Sequence, residues 1–237
     1  MSPKISEQVG RRKRYIIAAS IAVIAISFAL YNAAQNNPYK DRKVWNFDSY
    51  QQNGLPEIFL PMQQQPASGN DGGIWIVKSD ESAPSKPNVL AKLSSNLTEP
   101  GYSMLTIQKD GIYTSNLRVS VKFKIISEEK EQTAVGLIVR LQDRTHYFVL
   151  VVDAANNRFS LCRAEPDRLI CTQDVDVNVT TGHWHTITAQ VSAQGIAGYI
   201  DDRLLIQRYD QHYIFGQIGL WTKVDTEAYF DDLEVDY

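Results

Sequence analysis

Two short runs in separate parts of the chain carry residue types that hold sugars. In Gly136-Leu-Ile-Val-Arg140 and Gly219-Leu-Trp-Thr-Lys223, a strand's period of two puts Gly136, Ile138 and Arg140 on one face. It puts Gly219, Trp221 and Lys223 on one face of the other strand. Glycines followed by a large aromatic and a cation would line a groove with a deep end, and Tyr147 would flank it. Sugars are gripped this way, with aromatic faces against C–H groups and charged or amide side chains at the hydroxyls. Arg140, Tyr147, Trp221 and Lys223 are therefore the candidate ligand-binding residues. The pattern fits equally well with Trp221 as ordinary core and Arg140 and Lys223 as rim charges.

Other groups could do chemistry. Asp48 near the start of the exterior region and Asp231 and Asp232 near its end are hard oxygen ligands, and first and last strands often neighbour each other in sandwiches. Together they could hold a structural calcium ion, against the plainer reading of solvated or turn-capping carboxylates. His183-Trp-His185 places two imidazoles on one strand face, a spacing open to a transition metal, but no third ligand is evident. The acidic run Ser127-Glu-Glu-Lys-Glu131 reads as a solvated hairpin loop. Neither a phosphate-binding Gly-rich loop, nor a nucleotide fingerprint, nor a Ser/His/Asp arrangement with recognisable context is present. Asn96-Leu-Thr98 and Asn178-Val-Thr180 have the form of N-glycosylation acceptors.

The elements that must position these residues are strands. Period-two stretches bounded by turn residues predict strands at 44–48, 73–78, 88–93, 103–108, 116–126, 133–142, 146–153, 158–163, 169–174, 183–191, 196–200, 204–208, 217–223 and 228–236. Turn chemistry such as Asp110-Gly111, Asn156-Asn157, Thr181-Gly182 and Asp201-Asp202 favours antiparallel hairpins. Short strands at such spacing imply one all-β sandwich or barrel. With Pro166 and Asp167 at the centre of a turn, Glu165 faces Arg168 and the register brings Cys162 opposite Cys171. A disulfide between these cysteines is the expectation, against two free buried thiols.

Arg11-Arg-Lys-Arg14 precedes residues 15–31, seventeen residues without a charge. That length lies between a long signal peptide and a short transmembrane helix. A cleavage site ending at Ala33 or Ala34 would put Tyr31 or Asn32 where a small residue is needed, so an uncleaved anchor is favoured over a secreted form. Tyr15 and Tyr31 bracket the run as interfacial aromatics, and the basic cluster predicts a cytoplasmic amino terminus (1–14), a membrane helix (15–31) and a tether (32–43). The domain at 44–237 would then lie outside the membrane. Of 24 Lys and Arg and 27 Asp and Glu, residues 1–34 hold five and one, leaving 19 against 26 outside. An acidic exterior argues against nucleic acid as a partner.

The closing run Gly219-Leu-Trp-Thr-Lys223 followed by Tyr229-Phe-Asp-Asp232 resembles the last strands of the concanavalin A-like lectin/glucanase sandwiches, particularly the group named for 3-keto-disaccharide hydrolases. Ala134-Val-Gly-Leu-Ile-Val-Arg-Leu-Gln-Asp143, Thr145-His-Tyr-Phe-Val-Leu-Val-Val-Asp153, Trp184-His-Thr-Ile-Thr188 and Gly198-Tyr-Ile-Asp-Asp-Arg-Leu-Leu205 resemble earlier strands of the same group. The resemblance covers about residues 44–237 at the level of pattern and implies a two-sheet antiparallel jelly-roll sandwich. Asp202 stands where that family usually has Gly, which Asp tolerates in the left-handed region. Val151 stands where many relatives carry an Arg, which makes hydrolysis less expected here. The Glu-x-Asp-x-x-Glu strand that presents two carboxylates in the related glucanases is absent, which argues against their retaining mechanism.

These readings together give a membrane-anchored, extracytoplasmic, lectin-like domain. Its expected partners are a glycan or cell-envelope polysaccharide and, through residues 15–31, the lipid bilayer. Hydrolysis of 3-keto-disaccharides is the alternative, and a protein-binding adhesion module without a sugar site is a third. Enzyme activity is left open, and a structural calcium ion is the one cofactor considered.

Overall fold

The computed structural model describes residues 38–63, 73–94, 101–107, 112, 114–126, 133–166 and 168–237. The basic segment, the apolar run and Asn96 lie outside them. Asp41–Tyr237 is one compact unit. Its described strands are β1 (Arg42–Trp45), β2 (Phe59–Gln63), β3 (Trp75–Ser79), β4 (Asn88–Lys92), β5 (Tyr102–Ile107), β6 (Leu117–Ile125), β7 (Ala134–Asp143), β8 (His146–Asp153), β9 (Arg158–Glu165), β10 (Arg168–Asp176), β11 (His185–Val191), β12 (Gly195–Ile200), β13 (Arg203–Tyr209), β14 (Gln217–Lys223) and β15 (Ala228–Asp236).

They form two antiparallel sheets. The eight-stranded sheet runs β13-β12-β11-β6-β15-β4-β3, with β1 also pairing β15, and the seven-stranded sheet runs β10-β9-β8-β7-β14-β5-β2. First and last strands do neighbour each other, Trp45 opposite Leu233 and Arg42 opposite Asp236. Alternation sorts each strand into two faces. Val135, Leu137 and Val139 of β7, Phe148, Leu150 and Val152 of β8, and Val119, Val121 and Phe123 of β6 all enter the core between the sheets. Trp45 and Trp75 belong to this core as well. Trp184 packs instead against a smaller cluster around Val89, Ala91 and Tyr229, with its Nε1 donating to Ser82 Oγ at 3.2 Å.

One strand escapes the sequence pattern. β2 contains Pro61, which cannot donate to a ladder and so weakens the strand signal. It is tolerated because β2 is the edge of its sheet, paired to β5 alone. The β9–β10 hairpin has the expected register, Glu165 opposite Arg168 and Cys162 opposite Cys171. Asp201 and Asp202 both adopt left-handed backbone, φ 48° and 61°, as a tight hairpin turn requires.

The two ends of the sandwich differ in what closes them. At the entry end Asp41 and Tyr237 exchange two backbone hydrogen bonds of 3.0 Å, and Arg140 near the end of β7 meets Ser192, Gly195, Asp210 and His212. At the far end lie the ends of β4 and β14 and the turn between β14 and β15.

Candidate functional site

The largest departure from the sequence reading is Arg140. Val139 still faces the core, but the register between β7 and β8 shifts between Val139 and Asp143, and Arg140 takes φ 52°. This bulge moves Leu141 to the outer face with Ile138 and swings Arg140 inward, its guanidinium 5.6 Å from the centre of the core ring Phe148. Arg140 is 1% exposed. Its Nη1 donates to Asp210 O at 2.9 Å and His212 O at 3.0 Å, and its Nη2 to Ser192 O at 2.6 Å and Gly195 O at 3.4 Å. Period-two geometry fails across a bulge. Arg140 therefore does not share a face with Gly136 and cannot meet a ligand there. Gly216 admits the bulge, since a Cβ at that position would lie 2.3 Å from the Arg140 carbonyl carbon.

The other candidates lie on the outer face of the seven-stranded sheet, and strand registers arrange them in rows. One row crosses Met62, Met104, Trp221, Gly136, Val151 and Ser160. The row nearer the far end holds Tyr102, directly opposite Lys223, then Ala134, then Asp153. Trp221 and Tyr147 are each 1% exposed and belong to an apolar cluster with Met104, Ile138, Val149 and Val151. Burial pushes the Tyr147 hydroxyl's pKa up. Trp221 Nε1 is turned toward that hydroxyl, near enough to favour the phenolate slightly, yet among the described residues no acceptor lies within hydrogen-bond geometry.

Access improves in the outermost row. Tyr102, Lys223 and Asp153 are partly exposed. The Tyr102 ring packs on Trp221 with centroids 4.8 Å apart and planes tilted by 35°, and burial raises its pKa. Lys223 Nζ donates to Asp153 Oδ2 at 3.1 Å. Tyr102 was not among the sequence candidates, because the strand carrying it offered no motif. Only the register beside Lys223 reveals it. Within these rows on β5, β14, β7 and β8, Asp153 is the one carboxylate, and Lys223 engages it. A glycosidase pair would need a second.

Asp48, Asp231 and Asp232 are not gathered around one point. Asp48 Oδ1 accepts from Asn88 N at 3.1 Å, and Asp232 Oδ2 from Lys122 Nζ at 2.7 Å. Asp231, fully buried, accepts from Ser85 N at 2.9 Å, Ser85 Oγ at 3.0 Å and Asp232 N at 2.7 Å. Burial raises its pKa to about 6 against those hydrogen bonds. Among the described residues no group of three or more His, Cys, Asp and Glu is arranged to hold a metal ion. His185 is spent on Asp201 through Nδ1 at 2.8 Å and on Thr180 through Nε2 at 3.3 Å. Cys162 and Cys171 form a disulfide whose Cα atoms are 3.9 Å apart.

No family model and no curated protein sequence matches the chain. Solved structures do share its fold. The carbohydrate-binding module CBM66 from Bacillus subtilis aligns with a TM-score of 0.57 at 17% identity, over 70% of this chain and 92% of that one. The cellulose-induced protein Cip1 aligns at 0.56 and 13%, over 81% and 96%. A Bacillus licheniformis β-glucanase aligns at 0.54 and 10%, over 84% and 99%. The domain has the concanavalin A-like sandwich fold that the closing strands suggested.

Proposed function

We propose that the chain is a non-catalytic glycan-binding domain, held outside the membrane by residues 15–31 and exposed to cell-envelope polysaccharide. The observation that carries this reading is the row Tyr102, Lys223, Ala134, Asp153. It offers a partly exposed aromatic ring braced from behind by Trp221, with a bonded cation and carboxylate in the same row above the buried Ala134. A sugar ring laid on Tyr102 would bring its hydroxyls to Lys223 and Asp153, the division of labour expected of sugar sites. Arg140 has no part in it. The fold shared with a carbohydrate-binding module and with glucanases supports the class of ligand, and the apolar run with its basic flank supports the tether. The lone, ion-paired Asp153 favours binding over hydrolysis.

Full-length protein in nanodiscs, applied to a broad glycan array, tests the reading. Specific binding that Tyr102→Ala and Lys223→Ala each weaken about tenfold, with folding unchanged by circular dichroism, is the expected result. A blank array from folded protein would overturn it and favour the adhesion module. Turnover of a 3-keto-disaccharide, lost in Asp153→Asn, would favour the hydrolase.

A further inference from the structure

We infer that the outer face of β11, β12 and β13, at the free edge of the eight-stranded sheet, is a second binding site, one for a neutral polysaccharide chain. Strand pairing stacks three rows there. Gly195 lies opposite Tyr209, Ala197 is flanked by Gln190 and Gln207, and Tyr199 is flanked by Thr188 and Leu204. The small residues of β12 form the floor of a trough of about 280 Å³, and the amides stand along its two sides. From Gly195 to Tyr199 the floor extends about 13 Å at strand rise, long enough for several linked sugar rings.

Each lining group suits a sugar. Tyr209 is 69% exposed, and its cross-strand partner Gly195 has no side chain to cover the ring. Gly195 is required here, since a Cβ would lie 2.3 Å from Arg208 O. Among the described residues no hydrogen bond or ring contact engages the Tyr209 side chain. Tyr199 closes the trough. Its hydroxyl donates to Gln190 Oε1 at 3.2 Å, and the Arg118 guanidinium covers its ring at 5.6 Å. With Gln190 Oε1 occupied, its Nε2 is left to donate outward, already oriented before any ligand arrives. Among the described residues no carboxylate lines the trough, and Arg208 is the one charged residue that does. Three glutamines, a serine and two tyrosines are poorly suited to the apolar centre of a protein interface. They match a ligand with C–H faces and many neutral hydroxyls.

The trough lies on the other sheet from the Tyr102 row and can bind whether or not that row does. Full-length protein in nanodiscs is titrated with soluble β-glucan, mannan and fructan as neutral probes and polygalacturonate as the acidic one. Tyr209→Ala, Gln207→Ala and Tyr102→Ala are run in parallel. Tyr209 is exposed enough that its loss leaves the fold intact, which circular dichroism checks. The expected result is about a tenfold rise in Kd for a neutral probe in Tyr209→Ala, a smaller rise in Gln207→Ala, and ligand-dependent protection of residues 195–209 from hydrogen exchange that persists in Tyr102→Ala. Neutral-probe binding lost in Tyr102→Ala but untouched in Tyr209→Ala would overturn the second site and leave the first. Binding of polygalacturonate alone, removed by Arg208→Ala, would overturn the neutral ligand. No binding of any probe by wild type would overturn both sites.

Discussion

Each end of the sandwich buries a cation between the sheets, and the two are handled in different ways. At the entry end Arg140 sits under the 192–195 turn and the 210–213 connection, its two terminal nitrogens divided among four backbone carbonyls. Burial lowers its pKa and the nearby Asp210 raises it, yet a guanidinium stays charged at any ordinary pH. At the far end Lys92 is also fully buried, but among the described residues its ammonium donates to a single carbonyl, Val224 O. Burial drives its pKa down to about 8, against the pull of Asp225 and Glu227. A planar fork with several donors can tie chain segments together, whereas a point charge with one acceptor mainly bears the cost of desolvation. Arg140 should therefore be structural cement and Lys92 a standing cost.

Arg140→Met gives the largest expected effect. It leaves carbonyls of Ser192, Asp210 and His212 without their donor in a buried place, and the loss should be about 3–5 kcal/mol in urea unfolding. Loosening should concentrate in residues 192–195 and 210–216, visible as faster hydrogen exchange. Rescue to nearly wild-type stability by Arg140→Lys would break the comparison, because a single ammonium cannot span the same carbonyls.

Next in size is the pH dependence that Lys92 imposes. Its folded pKa is depressed, so below about 8 the ammonium is charged in both states and the penalty is constant. Between about 8 and its ordinary 10.5, the unfolded chain keeps a proton that the folded chain has lost. The unfolded state then binds more protons, and stability must rise with pH across that window, by about 3 kcal/mol at most. The difference between wild type and Lys92→Met isolates this slope from other titrations. A flat difference from pH 7 to 10.5 would show that Lys92 is solvated and that the two ends are not alike in burial.

The disulfide adds a smaller, localised effect at the edge of the seven-stranded sheet. The cysteines are nine residues apart, and closing so short a loop is worth about 2–3 kcal/mol at most. Cys162→Ala with Cys171→Ala should lower the urea midpoint by a corresponding amount while leaving exchange at 192–195 and 210–216 unchanged. If those segments loosened too, the entry end would depend on β9 and β10 as well as on Arg140.

How far the sequence foretold all this depends on whether a feature is local. The strands of the C-terminal half were legible because alternation and turn residues are local signals, and β8, β14 and β15 match their expected limits. The Cys162 and Cys171 pairing was legible because a tight turn fixes register by counting. Arg140 was misplaced because its position depends on a bulge, and the glycine that admits the bulge, Gly216, lies 76 residues away. Tyr102 and Tyr209 went unnoticed for the same reason. One gains meaning only beside Lys223 and the other only beside Gly195, contacts set by strand order rather than by any motif.

The smallest effect is the sharpest test of the contrast, because it predicts a near-zero change for a fully buried charge. Lys92→Met keeps the length of the side chain and removes the ammonium, so the packing against Gly73, whose Cβ would come within 2.3 Å of Lys92 Cε, is preserved. Exchanging a poorly compensated buried cation for an apolar side chain of similar volume is often neutral or stabilising. What is lost is the hydrogen bond to Val224 O, worth about 1 kcal/mol net, and the relief of desolvation should offset it. Stability at pH 7 should therefore change by no more than about 1 kcal/mol in either direction. A loss as large as that of Arg140→Met would mean that Lys92 is also a tie, organising the β14–β15 turn through Val224. The two ends would then work by the same principle.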